Sequence, residues 1–303
     1  MTLLLGKSLE SIQDVLRRDI QNFTISASSI RNREKLDVLA IFFAGLHNSF
    51  VAEEINNYDR LRAVLVFVAT AAVIIFNALA ASGRLFGVDT GEVSARYPTV
   101  ITPAGYAFSI WSLIYLGLVA FSIYQLLPAQ LAKFRGVRTI YLLSSVFNCA
   151  WLFAWHQLEI GISALLILGL LGTLAYVNVK LRSMDSGLAV VIAKATFGIY
   201  FGWVTAASFV NLLIYLKSAG VTMSPTAWNI YGIAVIALLL IASLIVRVTL
   251  RDFLYPVAIA WALTAIAIQQ SGNTAVILAG AIAVILCLVL SLSFVMDLRH
   301  TRQ

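Results

Sequence analysis

The side chains in this sequence best equipped to engage a ligand are aromatics and amides at helical spacing. Phe108, Trp111 and Tyr115 stand at i, i+3 and i+7 and so share one helix face. Asn148, Trp151 and Trp155 fall within an arc of about 60° at about 100° per residue, with Tyr141 on the same side. Tyr200, Trp203, Ala207 and Asn211 fit an arc of about 80°. Indole and phenol faces stack on flat apolar rings, while a few amides orient a polar edge, so three such faces converging would suit binding of a hydrophobic ligand. Trp155 and Trp228 lie close to the ends of apolar stretches and read as interfacial-belt residues; Trp111, Trp151 and Trp203 lie deeper. Asn148 and Asn211 are costly in hydrocarbon unless partnered, so they face the bundle interior, either as contacts between helices or as pocket lining.

Chemistry beyond binding lacks its residue sets. There is no spaced His/Glu metal cluster, no phosphate loop, no Ser with a suitable His and Asp, and no buried carboxylate pair; Asp89, Glu92 and Glu159 fall in loops. The expectation is a protein that is not an enzyme and requires no cofactor. His156, a lone histidine at a helix end, reads as interfacial more readily than as a haem ligand. Lys194 reads as a cation reaching toward headgroups, with a counter-ion role as the alternative. Cys149 and Cys287 read as small core residues.

What must position these residues follows from composition. Of 303 residues 61% are hydrophobic and 12% charged, far from the roughly 25% charged of ordinary soluble domains. With 18 Gly, 5 Pro and 2 Cys, the chain is neither collagen-like nor a disulfide scaffold. A helix crossing a hydrocarbon core needs about 20 residues. Stretches free of charge predict eight spans near 62–82, 104–127, 138–157, 160–180, 188–216, 228–248, 252–270 and 274–296, the last two separated by the polar turn from Gln269 to Thr274. The fold class is therefore all-α, a polytopic transmembrane helix bundle. With both termini on the cytoplasmic side, 17 of the 21 Lys and Arg face the cytoplasm, Arg84, Arg96 and Lys217 face the other side, and Lys194 lies within a span. The net charge of +7 is thus an orientation signal, and no nucleic-acid surface is expected.

Residues 1–60 differ from the rest and are read as a cytoplasmic extension. Leu9, Ile12, Leu16 and Ile20 share one face of an amphipathic helix, and residues 36–46 form an apolar piece too short to span. The extension reads as a docking segment or as a surface-lying leader, and no signal peptide is evident.

The runs Phe147-Asn148-Cys149-Ala150-Trp151 and Tyr200 through Asn211, preceded by Pro103 through Tyr115, resemble the tryptophan-rich sensory protein (TspO/translocator) family. The segments Thr90-Gly91-Glu92-Val93-Ser94, Tyr97-Pro98 and Thr102-Pro103-Ala104-Gly105-Tyr106 are similar to a longer branch with extra C-terminal helices. The resemblance covers about half of the chain, residues 62–217. It implies that residues 61–217 form a TspO-like five-helix bundle, the first five spans, and that residues 218–303 add three helices and a short tail. It implies further that Trp111, Asn148, Trp151, Tyr200, Trp203, Ala206, Ala207 and Asn211, with Tyr106, Phe108 and Tyr115 nearby, line or pack a ligand pocket capped by residues 85–102. The implied ligands are a porphyrin or haem, or a lipid or sterol-like molecule, and the implied assembly is a homodimer or a larger membrane complex. A receptor, sensor or carrier is the function expected, ahead of a scaffold subunit and of a secondary transporter. Leu213-Ile214-Tyr215-Leu216-Lys217 also fits a weak cholesterol-contact pattern.

Overall fold

The computed structural model describes residues 33–184 and 187–293, so the predicted amphipathic helix at 9–20 lies outside the described residues. The chain divides into two units, residues 1–57 and 58–303. The described part of the first, residues 33–57, is helical.

The described residues form nine α-helices and two short 3-10 turns, and among them there is no strand. Helix α1 runs Arg33–Ala81, and a short helix α2, Thr90–Ala95, interrupts the connection that follows. A 3-10 turn, Gly105–Ser109, leads into α3, Ile110–Tyr124. Then come α4 (Arg135–His156), α5 (Ile160–Arg182), α6 (Leu188–Ser218), α7 (Pro225–Leu250), α8 (Tyr255–Gln269) and α9 (Thr274–Leu292). Local chemistry sets several of these ends. Ser224 accepts a hydrogen bond from the Ala227 N–H ahead of Pro225, and Asn273 accepts one from Val276, each satisfying a donor that a first helical turn leaves open. Just beyond α6, Gly220 has φ +81°, a left-handed geometry that a side chain would strain.

Among the described residues seven helices are long and apolar enough to cross a membrane: Asn57–Ala81, Gly105–Tyr124, Arg135–His156, Ile160–Arg182, Leu188–Ser218, Pro225–Leu250 and Thr274–Leu292. The protein is an all-α polytopic membrane bundle. The expected crossing at 252–270 differs from the others: it is the 15-residue α8, about 22 Å long at about 1.5 Å per residue, short of a hydrocarbon core of about 30 Å. Its position inside the protein accounts for this. Helix α8 packs against α6, α7 and α9, and residues such as Ile259, Leu263 and Ile266 are buried. Its irregular ends therefore meet protein partners: the Asp252 carboxylate accepts hydrogen bonds from the Leu254 and Tyr255 N–H groups at 2.8 and 3.0 Å.

The contact between α6 and α8 depends on missing side chains. A Cβ at Gly202 would lie 2.7 Å from the Tyr255 carbonyl oxygen and 2.8 Å from the Ala258 Cβ, and one at Gly198 would collide with the Asp252 carboxylate. Gly198, Gly202 and Ala206 recur every fourth residue, the small-residue spacing that lets two helices approach closely. Across the seam the Tyr255 hydroxyl donates to Thr205 at 2.9 Å, and Phe201 meets the Tyr255 ring at 4.9 Å. Lys194 is half-buried and within electrostatic reach of Asp252.

At the opposite end of the bundle from the α1–α3 connection, Arg138 is wholly buried. Its guanidinium donates to the Gln125 side chain at 2.7 Å, to the carbonyls of Gln125 and Gln130 at 3.2 and 3.3 Å, and to the Leu131 carbonyl. Gln125 in turn donates to the Ala63 carbonyl of α1 at 2.8 Å. One cation thereby fastens the whole turn between α3 and α4.

Candidate functional site

Residues 82–104, between α1 and α3, fold back over one end of the bundle as a lid. Gly83 and Gly87, at φ +69° and +77°, permit the turns that aim the chain inward. Asp89 caps α2, accepting the N–H groups of Gly91 and Glu92 at 2.7 and 2.9 Å, while Glu92 accepts the Asp89 N–H at 2.8 Å, a reciprocal capping box. Three elements then grip lid carbonyls. The Trp155 indole of α4 donates to Thr90 at 3.1 Å, Gln270 after α8 donates to Thr99 at 3.0 Å, and Lys217 of α6 donates to Pro98. The start of α3 is sewn to α8 as well: the Ala104 N–H donates to the Ala265 carbonyl at 3.0 Å and the Trp261 indole to the Ala107 carbonyl at 2.9 Å.

Two adjoining cavities lie under this lid. The inner one, about 30 Å³, is walled by Trp111, Trp151, Trp155 and Trp203, by Ala206, Ala207 and Asn211 of α6, and by Ala262 and Ile266 of α8. The outer one, about 780 Å³, lies between Asn77, Ala78 and Ala81 of α1 and Gly105, Ser109, Ser112 and Tyr115 at the start of α3, beneath α2. Phe108 and Trp111 line both, so they form the partition.

Trp111 is the hub of the aromatic cluster. It stacks on Tyr115 at 5.6 Å between centroids and 18° between planes, tilts toward Trp151 at 6.2 Å, and receives the edges of Tyr200 and Trp203 at 5.6 and 6.4 Å. Such pairs contribute about 0.5–1.5 kcal/mol each beyond area burial, so the cluster holds its shape without a ligand. The Trp203 indole N–H is buried and has no hydrogen-bond partner among the described residues, and Trp203 is one of the inner cavity's walls.

Of the residues singled out in the sequence, Trp111, Trp151, Trp203, Ala206, Ala207, Asn211 and Phe108 line the inner cavity, and Tyr115 lines the outer one. Asn211 serves both readings: its carbonyl accepts from Trp151 at 3.2 Å and Ser163 at 3.1 Å while its side chain faces the inner cavity. Asn148 and Tyr200 line neither cavity. Asn77 donates to Asn148 at 2.8 Å and Asn148 donates to the Tyr200 hydroxyl at 3.0 Å, a buried chain joining α1, α4 and α6 behind Trp111. Tyr106 also lines neither; it is exposed, edge-on to Trp261 at 5.4 Å.

Two expectations are corrected. Trp155 is not interfacial: it is 2% exposed and holds the lid, because its position near a helix end places it directly under α2. His156 is likewise buried, bonded through Nδ1 to the Leu152 carbonyl at 2.8 Å and stacked on Phe86 of the lid at 4.7 Å. Among the described residues no group of three His, Cys, Asp or Glu is placed to hold a metal ion. The contribution of α8 was missed by sequence reasoning, although the Gly198, Gly202, Ala206 spacing signals a helix in close contact there.

A family model described as TSPO-like protein matches residues 63–294, which extends through α8 and α9. No curated protein and no solved structure matches the chain.

Proposed function

We propose, from the premise that this chain belongs to the TSPO-like protein family, that it is an integral membrane receptor or carrier whose ligand is a hydrophobic molecule of tetrapyrrole or sterol-like size. The observation that supports this reading is the 780 Å³ cavity between α1 and α3, roofed by the lid and floored by the Trp111 and Tyr115 stack. Its volume is that of a small-molecule pocket, bounded on two sides by membrane-spanning helices. The protein acts in this reading by binding, with the aromatic floor supplying contact area and Ser109, Ser112 and Asn77 of the cavity wall supplying polar contacts.

The test is equilibrium binding of protoporphyrin and of a sterol to protein in lipid nanodiscs, read by calorimetry. Saturable binding of at least one is expected, weakened about tenfold or more in Trp111→Ala, equivalent to about 1.4 kcal/mol. Absence of saturable binding, or affinity unchanged in the variant, would count decisively against the reading.

The same proposal sets both termini on the cytoplasmic side, from the distribution of Lys and Arg among the connections. A reporter fused after Gln303 is expected to register as cytoplasmic, and an external signal overturns that orientation.

A further inference from the structure

We propose that His156 makes the lid acid-sensitive, holding residues 82–95 closed while its ring is neutral and releasing them when the ring takes up a second proton. The inference concerns the lid and its socket alone, and it stands whatever the outer cavity binds.

Phe86 plugs the lid into the bundle. Its ring stacks on the His156 ring at 4.7 Å with 23° between planes, and it meets Phe76 of α1 and Phe153 of α4 edge-on at 6.3 and 6.0 Å. The left-handed residues Gly83 and Gly87 bracket Phe86, so the chain turns on both sides of the plug. Two residues beyond Gly87, Asp89 begins the capping box, and Asp89 through Glu92 line the outer cavity. Release of Phe86 is thus passed directly to a cavity wall.

Of the four rings in this socket, only that of His156 titrates. The Leu152 carbonyl can only accept, so Nδ1 carries the proton of the neutral ring. Nε2 then presents a lone pair, which is buried and has no hydrogen-bond partner among the described residues. A second proton puts a charged donor at that place, and an unpaired charged donor costs more than an unpaired acceptor. The face of Phe86 cannot take the new bond, because the Nε2–H lies in the imidazole plane and the two rings are close to parallel. Charged residues on the elements around the socket are Arg84 and Asp89 of the lid and Glu159 of the turn after α4, while residues 74–81 of α1 carry none. Asp89 is within electrostatic reach of the ring, but its Oδ1 is committed to the N–H groups of Gly91 and Glu92. Its attraction acts at a distance and supplies no acceptor at Nε2. Swinging Phe86 outward does supply one, by admitting water. The open lid therefore binds more protons than the closed lid, and acid shifts the balance toward opening. In the proposed orientation this end of α4 faces away from the cytoplasm, so the proton comes from the external side.

The experiment follows amide hydrogen exchange in residues 83–95 by mass spectrometry, using the full chain in phosphatidylcholine nanodiscs at about pH 7.5 and about pH 5.5, each corrected for the intrinsic pH dependence of exchange. With the exposed ring titrating near the ordinary imidazole value of about 6.5 and the closed lid excluding the second proton, opening is expected to rise about tenfold over that interval. Residues 274–292 of α9 serve as the internal reference and should not change. Two variants remove the titration: His156→Phe keeps a ring against Phe86, and His156→Asn keeps a donor for the Leu152 carbonyl. In each, exchange of residues 83–95 is expected to differ by less than about twofold between the two pH values. Equal exchange at both pH values in the parent protein overturns the switch. So does an acid-induced rise that persists in either variant, because it assigns the effect to Asp89, Glu92 or another group.

Discussion

Arg138→Leu is expected to lower the unfolding free energy by about 3–5 kcal/mol, the range for removing one partner from a buried charged network. The leucine fills part of the volume but leaves the Gln125 side-chain oxygen and the carbonyls of Gln125 and Leu131 without their donor, while the Gln130 carbonyl keeps the Phe134 N–H at 3.2 Å. Each orphaned buried acceptor costs about 1–3 kcal/mol. The loss extends further because Gln125, freed of Arg138, no longer holds its bond to the Ala63 carbonyl in a fixed orientation. Asp59 loses the Arg138 guanidinium 3.8 Å away but keeps its stronger partner, since Arg135 still donates to both of its oxygens at 3.0 Å. Arg138→Lys should recover little, because an ammonium lacks the planar fork that serves four acceptors together. Thermal melts of purified protein in mild detergent would measure this, and a leucine variant melting with the parent would show that the turn does not depend on Arg138.

Gly202→Val is expected to cost about 3 kcal/mol, at the upper end for overpacking, and to weaken ligand binding in parallel. The atoms that a new Cβ meets are the Tyr255 carbonyl and the Ala258 Cβ, both fixed to the backbone of α8, so no rotamer change relieves the contact. Relief requires α8 to move away from α6. That displaces Ala262 and Ile266, the back wall of the inner cavity, and pulls on the Ala265 carbonyl that anchors Ala104. Gly172 provides the control, because a Cβ there meets nothing within 4 Å, and Gly172→Ala should be neutral or slightly stabilising. If both variants melt and bind alike, the close approach of α6 and α8 is not what shapes the cavity.

The bundle was readable because hydrocarbon demands long uncharged runs, and most predicted ends lie within a few residues of those observed. Convergence of Trp111, Trp151 and Trp203 was readable too, since angular spacing reports which residues share a face. Angular spacing placed Trp155 on the right face, but distance from a helix end does not report whether that end is covered, and the lid residue that Trp155 holds, Thr90, is 65 positions away. Helix α8 itself was legible at 252–270, but its enclosure was not: a helix enclosed by protein and one facing lipid are equally apolar, and only the glycine spacing on α6 distinguishes the neighbour. The partner of Asn148 was hidden for another reason. Asn77 lies 71 positions away, and an amide's identity says nothing of which distant helix will satisfy it.

The placement of α8 has a consequence for biosynthesis. Helices enter the membrane in the order in which they are made, and the aromatic residues of α3, α4 and α6 are all in place well before residues 255–269 emerge. Until then the glycine stripe of α6 lacks its partner, the lid lacks the Gln270 tether, and the inner cavity has no back wall. The pocket is thus a late product of membrane insertion, completed by a helix too short to cross alone.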